Sequence, residues 1–229
     1  MELSVVARIR TDFPEKFGLP RQSGLVPSLK GKIVFEPPYR SPDALRGIEG
    51  YSHLWLIWGF SEGFASGGER RFSPTVRPPR LGGNVRIGVF ATRSPNRPNP
   101  LGLSCVRLCG VEEDPDLGPV LLVAGIDMAD GTPIYDIKPY LPFADAFPDA
   151  RDGFAGEVAG DRLRVEFPEE LADRLPPDKR GPLIDALRGD PRPSYQQDGD
   201  RVYGFPYAGF EIRFRVSNGV LKVIEVEKI

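Results

Sequence analysis

One histidine, His53, and two cysteines, Cys105 and Cys109, are all the imidazole and thiol in 229 residues. A C-x3-C pair without further ligands does not make a tetrahedral set, so no metal is expected. A Cys–His nucleophile would have to draw on the same three residues, and both cysteines read as small core residues of one strand. Spaced four apart, they share a face yet sit too far apart to bridge easily, which predicts a reduced, cytoplasmic setting. Glycine signatures for nucleotides are missing as well. No G-x-G-x-x-G follows a strand and no G-x-x-x-x-G-K-[ST] occurs, which argues against a Rossmann or P-loop site. The longest apolar run, "HLWLIWGF", is far short of the roughly 20 residues needed to cross a bilayer, so no membrane partner is expected. The opening "MELSVVARIRTDFPEKFG" lacks the apolar core of a signal peptide.

Net charge is also scarce, at −2, but its distribution is uneven. Between Arg70 and Arg97 the chain carries Arg70, Arg71, Arg77, Arg80, Arg86, Arg93 and Arg97 and no acid. A solvated arginine face is the plain explanation. Arginine without lysine also suits phosphate or carboxylate recognition, because the guanidinium fork binds such groups in a fixed plane.

What the chain has in quantity is glycine and proline, 26 and 25 residues without a repeat. This composition suits a loop-rich β fold. Strand-like runs recur as "LSVVARI", "GKIVFE", "HLWLIWGF", "VRIGVFA", "LSCVRLCGV", "PVLLVAGI" and "PIYDI". "SPDALRGIEGY" predicts a short helix capped by Ser41, with Pro42 in its first turn. Residues 142–160 lose all periodicity and read as a connector. Beyond them, "FPEELADRL" and "DKRGPLIDALRG" predict short helices, and "GFEIRFRVSNGVLKVIEVE" predicts a hairpin turning at Asn218-Gly219. The expected organisation is a mainly β unit at 1–147, an antiparallel sheet or barrel, followed by a smaller α+β unit at 148–229.

Two polar clusters carry the candidate chemistry. "GVFATRSPNRPNPLGLS" sets Thr92, Arg93, Ser94, Arg97 and Asn99 on a loop stiffened by Pro95, Pro98 and Pro100, which lowers the entropic cost of holding donors ready for a ligand. "DMADGTPIYDIKPYLP" gathers Asp127, Asp130, Asp136, Lys138 and Tyr140 around an Asp-Gly turn. Its carboxylates could take ribose hydroxyls or an α-amino group, or could simply stabilise the turn.

"PRQSGL", "FSPTVRPPRLGGN", "GVFATRSPNRPNPLGLS", "DGTPIYDIKPYLPF" and "DPRPSY", in that order, resemble the TsaA-like family, specifically its bacterial tRNA methyltransferase O members. The resemblance implies a small antiparallel β-barrel that binds S-adenosylmethionine without a Rossmann sheet. It implies a homodimer that methylates N6 of threonylcarbamoyladenosine at tRNA position 37 of threonine tRNA. Donor contacts would come from Pro20, Arg21 and Gln22, from His53 and Leu54, from Arg93 and Leu103, and from Asp130, Gly131, Thr132 and Pro133. On this reading Asp136 and Tyr140 are candidate catalytic groups that accept a proton or orient the amine. Arg71, Arg77, Arg80, Arg97, Lys138 and Arg192 would hold RNA, and the C-terminal unit would contribute to tRNA binding. The alternatives are a non-catalytic module that binds an adenosyl ligand or RNA, and a hydrolase of a nucleotide-linked amide.

Overall fold

A computed structural model describes residues 2–60, 73–78, 81, 84–157, 162–192 and 198–229. Antiparallel β structure dominates the N-terminal two thirds. Six strands close into a ring: β1 (Ala7–Arg10), β2 (Lys30–Phe35), β3 (His53–Gly59), β6 (Leu101–Asp114), β7 (Gly118–Ala124) and β8 (Pro133–Pro139), in the order β1-β2-β7-β6-β3-β8. Alternation explains why. On β3, Leu54, Leu56 and Trp58 are buried while His53, Trp55 and Ile57 are half-exposed, so one face of the strand fills the interior. Two short strands, β4 (Thr75–Val76) and β5 (Ile87–Gly88), pair outside the ring.

"VRIGVFA" does not form the long strand its apolar residues suggest. Pairing stops at Gly88, a 3-10 turn spans Val89–Ala91, and Phe90 is 76% exposed. The Val89 carbonyl accepts from the Thr92 amide and hydroxyl and from Arg97 Nη2, so it is taken within the loop and not by a neighbouring strand. The expected helix after Ser41 is two 3-10 turns, Pro42–Leu45 and Ile48–Gly50, and the Ser41 side chain makes no cap bond. The cysteines share a face, as expected, but it is not the core face. The buried positions of β6 are Gly102, Ser104 and Val106, so Cys105 is half-buried on the other side, and Cys109, at a bulge between Leu108 and Gly110, is exposed, both as free thiols.

The connector holds two short helices, α1 (Pro142–Asp145) and α2 (Phe154–Glu157). Beyond it, β9 (Arg164–Glu166), α3 (Glu169–Ala172), α4 (Pro177–Arg188), β10 (Tyr203–Tyr207), β11 (Phe210–Ser217) and β12 (Val220–Lys228) build a four-stranded sheet in the order β10-β11-β12-β9, with β9 parallel to β12. The β11–β12 hairpin turns at Asn218 (φ 49°) and Gly219 (φ 75°), the two positive φ angles a tight type I′ turn demands.

One apolar core runs through both parts of the chain. Phe13, just after β1, stacks on Phe205 of β10 with ring centroids 6.2 Å apart and meets Tyr207 at 4.9 Å. Gly18 lies against the Phe205 ring, where a Cβ would fall 2.6 Å from it, and has φ +94°, so both space and backbone call for glycine. Polar ties surround this seam. Lys179 pairs with Asp12 at 2.7 Å, Ser28 Oγ donates to Asp185 at 2.9 Å, and the Ala208 amide donates to the Asp12 carbonyl. The segment at residues 13–21 is therefore clamped between the ring and the C-terminal sheet.

Candidate active site

That clamped segment forms one wall of a cavity of about 940 Å³. Leu19, Pro20, Arg21 and Gln22 face the proline-rich loop, represented by Arg93, Pro95 and Arg97. The start of β6 (Leu101, Gly102, Leu103) and the residues before β8 (Asp127, Met128, Ala129, Thr132) form the floor, and Pro191 and Arg192 close one side. Three aromatic rings, Trp55, Trp58 and Phe60, also line it. Trp58 lies on the buried face of β3 and Trp55 on the half-exposed face, so the cavity touches both faces of that strand.

The loop keeps its shape through its own hydrogen bonds. Arg97 Nε donates to the Ser94 carbonyl at 3.0 Å, and Arg97 Nη2 donates to the carbonyls of Val89 at 3.2 Å and Thr92 at 2.6 Å. These bonds fold the segment around one guanidinium, and the prolines limit its other conformations. Arg93 reaches across to donate to Gln22 Oε1, which links the loop to the opposite wall.

Other predicted contacts hold the walls in place. Arg21 Nη2 donates to the carbonyls of Asp190 and Arg192, 3.1 and 2.9 Å away, beyond the end of α4. Arg192 is paired with Asp190 through Nε and Nη2, at 2.9 and 3.0 Å. The Asp130–Pro133 turn is pinned to β1. Asp130 Oδ1 accepts from the Thr11 amide at 2.9 Å, Arg10 pairs with its other oxygen at 3.3 Å, and the Gly131 amide donates to the Ile9 carbonyl. Of that turn only Thr132 lines the cavity, and its hydroxyl donates to the Ala129 carbonyl.

The remaining candidates lie elsewhere. Leu54 is in the core. His53 Nδ1 is 3.0 Å from Ser52 Oγ, and the His53 ring meets Tyr140 edge-on at 6.1 Å. Tyr140 also contacts Trp55 at 5.8 Å. Across β3, Lys138 pairs with Trp55 and Asp136 with Ile57, and the Lys138 ammonium lies 2.8 Å from Asp136 Oδ2. His53, Tyr140, Lys138 and Asp136 thus form a shelf that adjoins the cavity through Trp55. Arg77 is exposed at the end of β4. Arg71 and Arg80 lie outside the described residues.

Sequence reasoning passed over Trp55, Trp58 and Phe60 as possible site residues. The available signal was two tryptophans in a single run of eight residues, large rings that usually need a partner for the indole N–H. Here Trp58 Nε1 donates to Ser104 Oγ at 2.9 Å, and Trp55 Nε1 to Asp145 Oδ2 at 2.9 Å. Burial pushes the Asp127 carboxyl above its ordinary value, opposed by hydrogen bonds from the Ser104 hydroxyl and backbone amides and by the nearby Arg93 guanidinium. Among the described residues no cluster of His, Cys, Asp and Glu could hold a metal ion, and no helix is long and apolar enough to cross a membrane.

Comparison with known proteins decides the family. The sequence model described as "tRNA-methyltransferase O N-terminal domain" matches residues 8–146, and that of the "TrmO C-terminal domain" matches residues 160–229. The chain belongs to the tRNA-methyltransferase O family. Its relatives include the Escherichia coli K12 tRNA (adenine(37)-N6)-methyltransferase, 41% identical over 227 residues, covering 96% of this chain and 94% of that protein. A Pseudomonas aeruginosa relative, named as a candidate S-adenosylmethionine-dependent methyltransferase, is 42% identical over 210 residues, covering 88% of this chain and 87% of its own. A solved structure titled "Crystal structure of TrmO" superposes with a TM-score of 0.77 at 34% identity and covers 99% of both chains.

Proposed function

We propose that this chain transfers a methyl group from S-adenosylmethionine to N6 of the adenine at tRNA position 37. The observation that carries this reading is the cavity between the clamped Pro20–Gln22 wall and the self-braced loop, in a chain of this family. An adenosyl amino acid offers a flat base, a diol, an ammonium and a carboxylate. The cavity has aromatic rings at Trp55, Trp58 and Phe60 for the base, a carboxylate at Asp127 for the diol or the ammonium, and cations at Lys16 and Arg93 for the carboxylate. S-adenosylmethionine supplies an electrophilic methyl on a sulfonium, and displacement by an amine depends on alignment, worth several kcal/mol of barrier.

The chain's own residues provide that alignment. Pro20, Arg21, Gln22, Arg93, Leu103 and Thr132 hold the donor, and the preset loop pays little entropy on binding. The shelf of His53, Tyr140, Asp136 and Lys138 beside Trp55 receives the acceptor nucleotide. There Asp136 and Tyr140 orient the amine and accept its proton, and Lys138 meets a carboxylate or phosphate. The acceptor is threonylcarbamoyladenosine in threonine tRNA. Arg77 and the neighbouring arginines contact the anticodon-loop backbone, a grip that weakens as salt rises. The working unit is a homodimer in the cytoplasm, the β ring serves as the donor-binding barrel, and the C-terminal unit supports the tRNA. The test is mass spectrometry of nucleosides from threonine tRNA incubated with enzyme and donor. The reading expects a gain of one methyl on the modified adenosine only when both are present, and tRNA left unmethylated would refute it.

A further inference from the structure

Of the charged side chains that line the cavity, Lys16, Arg21, Arg93, Arg97 and Arg192 are cationic, and among its described residues Asp127 is the sole carboxylate. That carboxylate is placed with care. Trp58 Nε1 donates to Ser104 Oγ at 2.9 Å, and Ser104 Oγ donates to Asp127 Oδ1 at 2.6 Å. The direction of this chain is fixed, because an indole N–H can only donate and the hydroxyl has a single proton to pass on. Ser104 is fully buried, so the relay runs behind the cavity wall. Gly102, paired with Trp58 across the sheet, leaves room for the indole, since a Cβ there would lie 2.2 Å from Trp58 Cε2.

Among the described residues Asp127 closes no ion pair. Arg93, the cation whose field reaches Asp127, donates to Gln22 instead. Burial raises the cost of ionising Asp127, and hydrogen bonds from Ser104 and backbone amides with the field of Arg93 offset it only in part. We propose that Asp127 is the acceptor that reads the methyl donor: its carboxylate takes hydrogen bonds from N–H or O–H groups of the adenosyl ligand, and Ser104 and Trp58 are the residues that position it. The proposal rests on the donor-site reading above.

Asp127→Asn in the full chain tests it, with calorimetric titration of S-adenosylhomocysteine and of 5′-methylthioadenosine, which keeps the ribose but lacks the amino-acid end. The expected result is a loss of about tenfold or more in affinity, the size of one charged hydrogen bond. Loss for both ligands assigns the contact to the adenosine half, the ribose diol or the adenine amino group, and loss for S-adenosylhomocysteine alone assigns it to the ammonium. Unchanged affinity for both would overturn the proposal. Thermal unfolding without ligand separates recognition from scaffolding. Asp127→Asn should leave the midpoint unchanged or raised, and a fall of several degrees would make Asp127 a structural residue and overturn the assignment. Ser104→Ala, with Asp127 intact, should show the same ligand pattern at smaller size. If the unaltered protein bound neither ligand, the donor-site reading itself would fall.

Discussion

Replacing Phe205 by alanine probes whether the two parts of the chain are one cooperative structure. Phe205 is 1% exposed and packs against Phe13, Phe17 and Phe214, with centroids 6.2, 6.0 and 6.1 Å away. Truncating a buried phenylalanine costs about 3–5 kcal/mol, because transfer energy is lost and a cavity remains. In a protein of this size each kcal/mol moves the midpoint by about 2–4 °C, so the variant should melt roughly 6–20 °C lower. The informative feature is the shape of the transition. A shared core predicts one cooperative step in differential scanning calorimetry, with signals from both sheets moving together. Two separated steps, the one belonging to the β ring unmoved, would refute the continuous core. Donor affinity should fall in the same variant, because the ring of Phe205 backs Gly18, next to the Leu19–Gln22 wall.

Arg93→Ala should weaken donor binding in isothermal titration, by removing the tie to Gln22 and a cation from the cavity; full retained affinity would contradict the preset-loop argument. Gly102→Ala forces a Cβ into the Trp58 indole, so it should destabilise the chain by about 1–3 kcal/mol in denaturant titration and displace Trp58 from Ser104. Asp145 gives a pH signature. Hydrogen bonds from the Leu141 amide and the Trp55 indole hold its carboxyl below the ordinary value, so their stabilisation is complete above the unfolded pKa and is lost as pH falls through the lower folded one. Acid titration followed by tryptophan fluorescence should show that step, and Asp145→Asn should abolish it.

Much of the fold was legible because alternation is a local signal. The burial of Ile212, Phe214 and Val216 against exposed Arg213 and Arg215, and the Asn218-Gly219 turn, follow from spacing alone. "VRIGVFA" misled because apolar residues do not reveal which group takes a carbonyl, and here Thr92 and Arg97 take that of Val89. Arg97 and Arg192 were expected to hold RNA, and here their guanidinium groups bond loop carbonyls and Asp190, contacts set by backbone geometry rather than residue type. The Phe13–Phe205 seam joins residues nearly two hundred positions apart, beyond any periodic pattern. The Asp127 relay was half visible: the carboxylate stood out, but its link to Ser104 and Trp58 depends on the pairing of β3 with β6.

A co-crystal structure with S-adenosylhomocysteine is the most direct test of the claim that the loop-walled cavity is where methyl transfer is organised. The account predicts the ligand enclosed by Gln22, Arg93, Leu103 and Asp127, with the Val89–Leu101 segment unmoved. A ligand bound away from that cavity, or a loop that must refold to admit it, would contradict it.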